Sequence, residues 1–530
     1  MKKKNILYTV GLAFTMAASL TSCDDYLDTM PDNRTQVDTE EKVVRLLTSA
    51  YSGNTTLVMA ECSSDNVDDM GSRYSNYTSR FYDQLYSWQV LTEEDNDGPY
   101  FVWQEFYKAV AAANQALEAI EEMGGPTTQT LREAKAEALL CRAYSHYMLS
   151  YLFCLPYNPA TCASDLGLTY MTKSETKLNV DYPRESMKSY YENIDKDIQE
   201  ALPMVGDTHL DVPKYHFNRQ AAYAFAAHFY LDYQQWDKVV KYATEALGSA
   251  PSTMLRDWDE MSNTAAPSDI SPRTNLYIDA SANSNLMLMT ATSNAGFWVS
   301  NWLIGNRKYS HCTYLAETED LMSTNIWGSY QLMRCQPMQV VAGAFDRVFV
   351  CKLPMMENWQ DATHTIYMAC TVYPAFKADL TLLERAEAYT MLKDYESACS
   401  DLTLWMQNWT KSKMTLTPEN IKKYYDGMNY WTWDKPTQKK HLHPLFQWDG
   451  EGSTQESMLQ CVLNFKRLET IYEGYRWFDV KRYGITIYRR TMNAAGEPES
   501  ISDSLTVNDP RRALQLPQEV MAAGYQPNPR

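Results

Sequence analysis

Apolar positions recur along this chain at three- and four-residue spacing, the period of an amphipathic helix, and only rarely alternate as a half-buried strand would. From Phe101 to Glu122, FVWQEFYKAVAAANQALEAIEE keeps that period and stops just before Gly124-Gly125-Pro126, a combination that ends helices. Thr127 or Thr128 can cap a second helix, LREAKAEALLCRAYSHYMLSYLF, whose alanines fall where helices approach closely. The two are predicted to form an antiparallel hairpin.

The pattern returns twice. In AAYAFAAHFYLDYQQWDKVVKYATEAL, small residues lead to Tyr230, Trp236 follows six residues later, and Ala243 and Ala246 continue. In LLERAEAYTMLKDYESACSDL, Tyr389 is followed six residues later by Tyr395 and then by Ala398. A small-residue helix, an aromatic, a short turn with a second aromatic and another small-residue helix resemble the tetratricopeptide unit, although the roughly 34-residue register is not continuous between copies. The expected fold is mainly α, built of tetratricopeptide-like helical hairpins with an irregular, loop-rich second subdomain. The irregular stretches are residues 255–375 and 411–464, rich in Ser, Asn, Thr, Pro and aromatics, with short β-like runs such as DRVFVCKL and HTIYMAC. Insertions of that length in a helical scaffold usually carry function. The chain divides accordingly into a leader (1–22), an N-terminal helical part (23–250), an insertion expected to bind ligand (251–375) and a C-terminal part (376–530).

The leader changes the picture of where the protein works. Lys2, Lys3 and Lys4 precede a mostly apolar run from Ile6 to Leu20, too short and too broken to span a bilayer comfortably. Leu20-Thr21-Ser22-Cys23 resembles the bacterial lipobox, in which the cysteine thiol is acylated and the chain is cleaved before it. Cys23 is therefore the expected lipid attachment site, and several acyl chains at about 0.8 kcal/mol per buried methylene hold a protein on a membrane. Asp24, Asp25 and Asp28 follow at once, as in surface lipoproteins of Bacteroidetes-type bacteria, which implies an outer-membrane, outward-facing location. Loss of the leader with its three lysines takes the formal charge from −18 to −21, a surface that repels nucleic acid.

Chemistry-bearing motifs are scarce. The ten cysteines after Cys23 form no C-x-x-C and read mostly as buried thiols, with a Cys154–Cys162 disulfide possible but unsupported. His441-Leu442-His443 lacks a third metal ligand, and Glu93-x-Asp95-x-Asp97-Gly98 imitates a calcium loop whose twelfth position is Gln104, so it reads as an acidic helix start. Neither G-x-S-x-G, G-x-G-x-x-G, nor a P-loop lysine pattern occurs. No catalytic residue, metal or cofactor is expected, and a glycan-cleaving surface enzyme is the least favoured reading.

RLETIYEGYRWFDVKRYGI (467–485) resembles the late helix of SusD/RagB-family outer-membrane lipoproteins, with Glu469, Glu473-Gly474, Arg476-Trp477, Asp479 and Arg482 in order. DPRRALQLPQEV resembles that family's terminal segment, CDDYLDTMPDN its mature start, and WQEFYKAVAAANQALEAIEE its first repeat helix. The resemblance implies a helical, lipid-anchored protein that caps a SusC-like TonB-dependent transporter and captures oligosaccharide or, in RagB-like branches, peptide, without catalysis. In the late helix, Arg476 and Asp479 are expected to pair and Trp477 to fill the core.

Sugar capture needs flat aromatic faces and a few fixed polar groups. Of the 14 Trp and 38 Tyr, Trp103, Trp236, Trp405 and Trp477 fall on helical packing patterns. Aromatics in polar, non-periodic settings are the better candidates: Phe297, Trp298, Trp302 and Tyr309 beside Asn301 and Arg307, then Trp327 and Tyr330, and Asp65, Asn66, Arg73, Tyr74 and Trp88 in the early loop. A third cluster, YYDGMNYWTWDKP (424–436), alternates at Tyr430 to Trp433 and reads as either a packed strand or a face that meets the transporter.

Overall fold

The computed structural model describes residues 37–71, 79–175, 182–264, 271–300, 308–342, 345–365 and 367–530, without the side chains of 298–300, 342 and 345. Cys23 and the leader expected before it lie outside them. Two short helices open the described chain, α1 (Glu40–Leu47), capped by the Thr39 hydroxyl, and α2 (Leu57–Ser63), followed by strand β1 (Asp68–Asp69) and α3 (Arg80–Tyr86). The first expected hairpin is present as α4 (Pro99–Glu122) and α5 (Gln129–Phe153). Gly124 and Gly125 take positive φ between them, and Thr128 caps α5 by accepting from the Leu131 amide at 3.2 Å.

Helix α6 (Met187–Ala201) packs on α5, and the chain then builds the second hairpin, α7 (Arg219–Asp232) and α8 (Trp236–Leu247). The third hairpin, much later, is α13 (Ala378–Met391) and α14 (Tyr395–Trp409), with α13 against α8. The six-residue aromatic spacing has a physical origin that the two turns share. Gln234 and Lys393 both adopt left-handed φ (61° and 64°), and the next amide, of Gln235 or Asp394, reaches back 2.9 Å to the carbonyl of Tyr230 or Tyr389. That bond closes the helix end and starts the next helix one residue later at Trp236 or Tyr395. Ala221, Ala224, Ala243, Ala246, Ala386 and Ala398 are buried between the paired helices, as close approach requires.

Between these hairpins lie α9 (Trp258–Asn263), α10 (Ser271–Tyr277), α11 (Ala295–Ser300) and α12 (Thr313–Glu319), interleaved with strands β2 (Asn285–Thr292), β3 (Tyr309–Ser310), β4 (Met338–Ala342), β5 (Phe345–Phe349), β6 (Met356–Trp359) and β7 (Tyr367–Lys377). After α14 come α15 (Pro418–Asp426), α16 (Thr454–Thr470), α17 (Arg476–Arg482), β8 (Ile487–Met492), β9 (Pro498–Leu505) and α18 (Gln518–Ala522). Three small sheets result: β3-β1-β8-β9, β2-β7-β6 and β4-β5. The first sheet draws strands from the beginning, middle and end of the chain, and β1 joins β8 in parallel through Asp69 and Thr491.

The late segment departs from expectation in two ways. It is two helices rather than one, broken at 471–475, where Tyr472 and Gly474 take positive φ and the buried carboxylate of Glu61 accepts from both their amides at 2.9 and 3.0 Å. A Cβ at Gly474 would meet the Leu57 carbonyl at 3.1 Å, in a conformation side chains avoid. Arg476 does not pair with Asp479. Its guanidinium forks onto Asp65 at 2.7 and 2.9 Å, while Asp479 takes Lys466 at 2.7 Å, because the break turns Arg476 toward α2 and Asp479 toward α16. Glu469 and Glu473 share the buried ammonium of Lys377, and Arg482 holds Glu387 at 2.8 Å. The motif is thus a hub of buried ion pairs, each to a different element, with Trp477 fully buried among them as expected. Arg512 of the terminal segment donates to the carbonyls of Val480, Ile485 and Thr506, fixing the chain end on this hub.

The ten described cysteines are free thiols, Cys154 and Cys162 included, and all but Cys370 are buried. Among the described residues no helix is long and apolar enough to cross a membrane.

Candidate functional site

Strands β1 and β3 pair antiparallel, Asp69 opposite Tyr309, and the Met70 amide donates to the Lys308 carbonyl at 2.7 Å. The roots of the two loops singled out in the sequence therefore stand side by side. Asp83 secures the junction by accepting from the Tyr309 hydroxyl at 2.6 Å and Lys308 Nζ at 2.9 Å, while the Tyr309 ring stacks on Tyr86 at 4.3 Å. Arg73, Tyr74, Asn301, Trp302 and Arg307 lie outside the described residues, and Trp298 is described only in its backbone on α11.

The other expected contact residues are occupied inside the protein. Asp65 is clamped by Arg476, with Arg467 and Lys440 within 4 Å. Burial alone would raise its pKa, and these three cations outweigh that and hold it well below the usual carboxylate range. Asn66 accepts from Arg467 and donates to Glu61, both at 2.9 Å. Trp88, at φ 51°, donates its indole N–H to the Ser63 carbonyl and carries the Arg489 guanidinium 4.0 Å above its ring. Tyr309 is buried, Trp327 packs against Trp405 and Phe465, and Tyr330 is half-buried against the core. Their partners stand up to about 400 residues away in sequence, which no local pattern reveals.

Phe297 leads instead to an aromatic strip on the surface. It is buried beneath Tyr367, stacked at 6.0 Å and 16°. Tyr367 lies directly opposite Trp359 across the β6–β7 hairpin, their rings 5.2 Å apart at 62°. Trp359 is 38 % and Tyr367 42 % exposed. His364, held at φ 53° in the hairpin loop, stacks on Trp359 at 5.1 Å. Asp361 organises that loop, accepting from the Thr365 amide and hydroxyl at 2.9 and 2.7 Å and from Thr363. Two steeply inclined aromatic faces, with the exposed Glu357 on the same face of β6, can meet the apolar face of a sugar ring and its hydroxyls. Trp359 and Tyr367 were not singled out from the sequence; the signal was the pair of aromatics bracketing the polar loop in NWQDATHTIY.

Helix α11 is set against this strip by two devices. Gly296 packs so closely on Pro354 that a Cβ would come within 2.1 Å of its carbonyl oxygen. Asp97, fully buried, accepts from the Ser293 hydroxyl and from the Asn294 amide at 2.7 Å, and Asn294 Nδ2 reaches Asp95 at 3.3 Å. The acidic run before α4 thus brackets the turn that starts α11. Burial pushes the Asp97 carboxyl up to about 7, with the bonds from Ser293 and Asn294 opposing. Among the described residues no three His, Cys, Asp or Glu side chains converge as a metal site would need.

The third aromatic cluster forms no strand. Trp431 stacks on Tyr488 at 5.2 Å, Tyr430 on the exposed His441 at 4.1 Å, and Trp433 projects into solvent.

Residues 25–231 match the model of a SusD-like family described as starch-binding associating with outer membrane. Solved structures extend the likeness over most of the chain. A SusD superfamily protein from Bacteroides thetaiotaomicron superposes with a TM-score of 0.63 at 17 % identity, over 94 % of this chain and 100 % of its own. One from Bacteroides vulgatus gives 0.62 at 17 % identity, over 93 % and 99 %. A SusD-like carbohydrate binding protein from Bacteroides vulgatus gives 0.60 at 14 % identity, over 92 % and 96 %. At such identities the likeness is one of fold. No curated protein matches the chain.

Proposed function

We propose that the chain is a member of the SusD-like family, a cell-surface lipoprotein which captures oligosaccharide and passes it to a SusC-like TonB-dependent transporter in the outer membrane; the family match over residues 25–231 and the shared fold support this reading. The observation that carries the reading is the solvent-facing pair Trp359 and Tyr367, fixed on a short hairpin and backed by Phe297. A stacking platform with a polar rim suits a neutral, hydroxylated ligand, and it is shallow enough to release what it holds. Trp298 and Trp302, in and just after α11, are proposed as further contacts, and the lipid on Cys23 keeps the site within reach of the transporter.

Affinity electrophoresis of the mature protein through a panel of polysaccharides tests the reading. Retardation by at least one, reduced in Trp298→Ala or Trp302→Ala, supports it. Free migration through every polysaccharide, with capture of peptides instead, would replace it with a peptide-binding role.

A further inference from the structure

The β6–β7 hairpin has a second face, and its chemistry is unlike the first. Met356 lies directly opposite Cys370, and Asn358 opposite Met368. Directly opposed residues share a face of a sheet, and residues two apart on a strand share it too. Met356, Met368 and Cys370 therefore stand together on the side away from Trp359 and Tyr367, with Thr292 of β2 next to Cys370. Met356 is 43 % and Met368 38 % exposed. Cys370 is the one described cysteine that is not buried. The one reachable thiol among the described residues thus sits between two reachable thioethers.

Three sulfur donors on adjoining strand positions are a soft ligand set. Directly opposed Cβ atoms lie about 4.5–5.5 Å apart and the diagonal neighbours about 7–8 Å, distances that flexible methionine side chains close around one ion. Thiolate and thioether select d10 monovalent ions of the Cu(I) type over hard cations, which prefer oxygen. Two neutral thioethers and one thiolate also match a single positive charge. We propose that Met356, Met368 and Cys370 form a surface site for a soft monovalent cation, of which Cu(I) is the physiological kind. Binding forms a metal–sulfur bond at Cys370 and two dative bonds from the methionines, and it releases the thiol proton to solvent. No electron is transferred, since the ion arrives as Cu(I). An ordinary thiol is protonated at neutral pH, and this Sγ lies 3.5 Å from the Met368 carbonyl, so the free site carries the proton that the metal displaces. The site is independent of sugar capture, which uses the opposite face.

The test uses the whole mature protein, reduced and under anaerobic conditions. Ag(I), a redox-inert ion of the same class, is titrated with proton release and methionine methyl resonances as readouts, and Cu(I) is titrated in competition with bicinchoninate. One equivalent is expected to bind, releasing one proton and shifting two methionine methyl signals, while Zn(II) leaves them unmoved. Cys370→Ser is expected to weaken binding on the order of a hundredfold, and Met356→Leu and Met368→Leu on the order of tenfold each, with melting temperature unchanged. Undiminished binding in Cys370→Ser would assign the metal to other sulfurs and overturn the site. Undiminished binding in the Met356→Leu/Met368→Leu double variant would do the same for the thioethers and leave them an apolar surface only.

Discussion

Replacing Asp65 by Asn probes the joint between the two ends of the chain. The carboxylate stands at the start of the loop after α2, and the guanidinium it holds, Arg476, opens α17, 411 positions later. Both side chains are almost entirely buried, at 8 % and 3 % exposure. Asparagine keeps the shape but removes the charge, leaving Arg476 without its carboxylate and Arg467 and Lys440 with one anion fewer. Breaking a buried pair by deleting one partner costs about 3–5 kcal/mol, because the surviving charge is stranded in the interior. An unfolding entropy of about 2.1 cal/mol/K per residue over about 500 residues converts that cost into a fall of about 3–5 °C in melting temperature. Differential scanning calorimetry of the mature protein at pH 7 measures it. The Asp65→Leu/Arg476→Met double variant, which removes both charges, should lose less than Asp65→Asn alone. The same pair should fade in acid: Asp65 titrates lower in the folded state than unfolded, so its contribution is complete above about pH 5 and is lost as pH falls below about 3.8. An Asp65→Asn protein melting within a degree of the wild type would refute the hub reading of this motif.

Two further outcomes follow from the same structure. Asp97 titrates near 7 when folded and near 3.8 when unfolded, so its burial favours the native state least above pH 7, and stability should decline by on the order of 4 kcal/mol as pH rises from about 4 to about 7. Asp97→Asn should flatten that part of the pH–stability curve, measured by urea denaturation between pH 4 and 8; an unchanged curve would show that Asp97 does not titrate there. Palmitate labelling of cells is expected to mark the protein at Cys23, and Cys23→Ala should release it from the outer-membrane fraction, whereas unlabelled protein still bound there would point to another tether.

The helical hairpins were legible because their information is local. Period, the Gly124-Gly125 stop, the Thr128 cap and the six-residue aromatic spacing are set by backbone bonds within one turn, and the structure has each of them. The break at 471–475 was not, because it depends on Glu61, far away in sequence, accepting from two amides. The candidate contacts divided along the same line. Asp65, Asn66 and Trp88 sit in a polar, aromatic stretch that looks like a binding loop, yet distant arginines and carbonyls consume them. Trp359 and Tyr367, in contrast, alternate like an ordinary strand, and only the sheet order shows that β6 is an edge whose side chains are exposed. Phe297, expected as a ligand contact, instead lies buried beneath the Tyr367 ring.

Ligand is proposed to rest on the Trp359–Tyr367 strip. About 38 % of a tryptophan surface of roughly 250 Å² is open here, close to 95 Å², with His364 already covering one side of the ring, so a sugar ring that covers about half of that open area gains about 1 kcal/mol at about 25 cal/mol per Å². Isothermal titration of Trp359→Ala and Tyr367→Ala with whichever oligosaccharide the wild type retains should show affinity reduced about 5- to 10-fold in each, with melting temperature within a degree of the wild type. Wild-type affinity in both variants would contradict the account and move the binding site elsewhere on the protein.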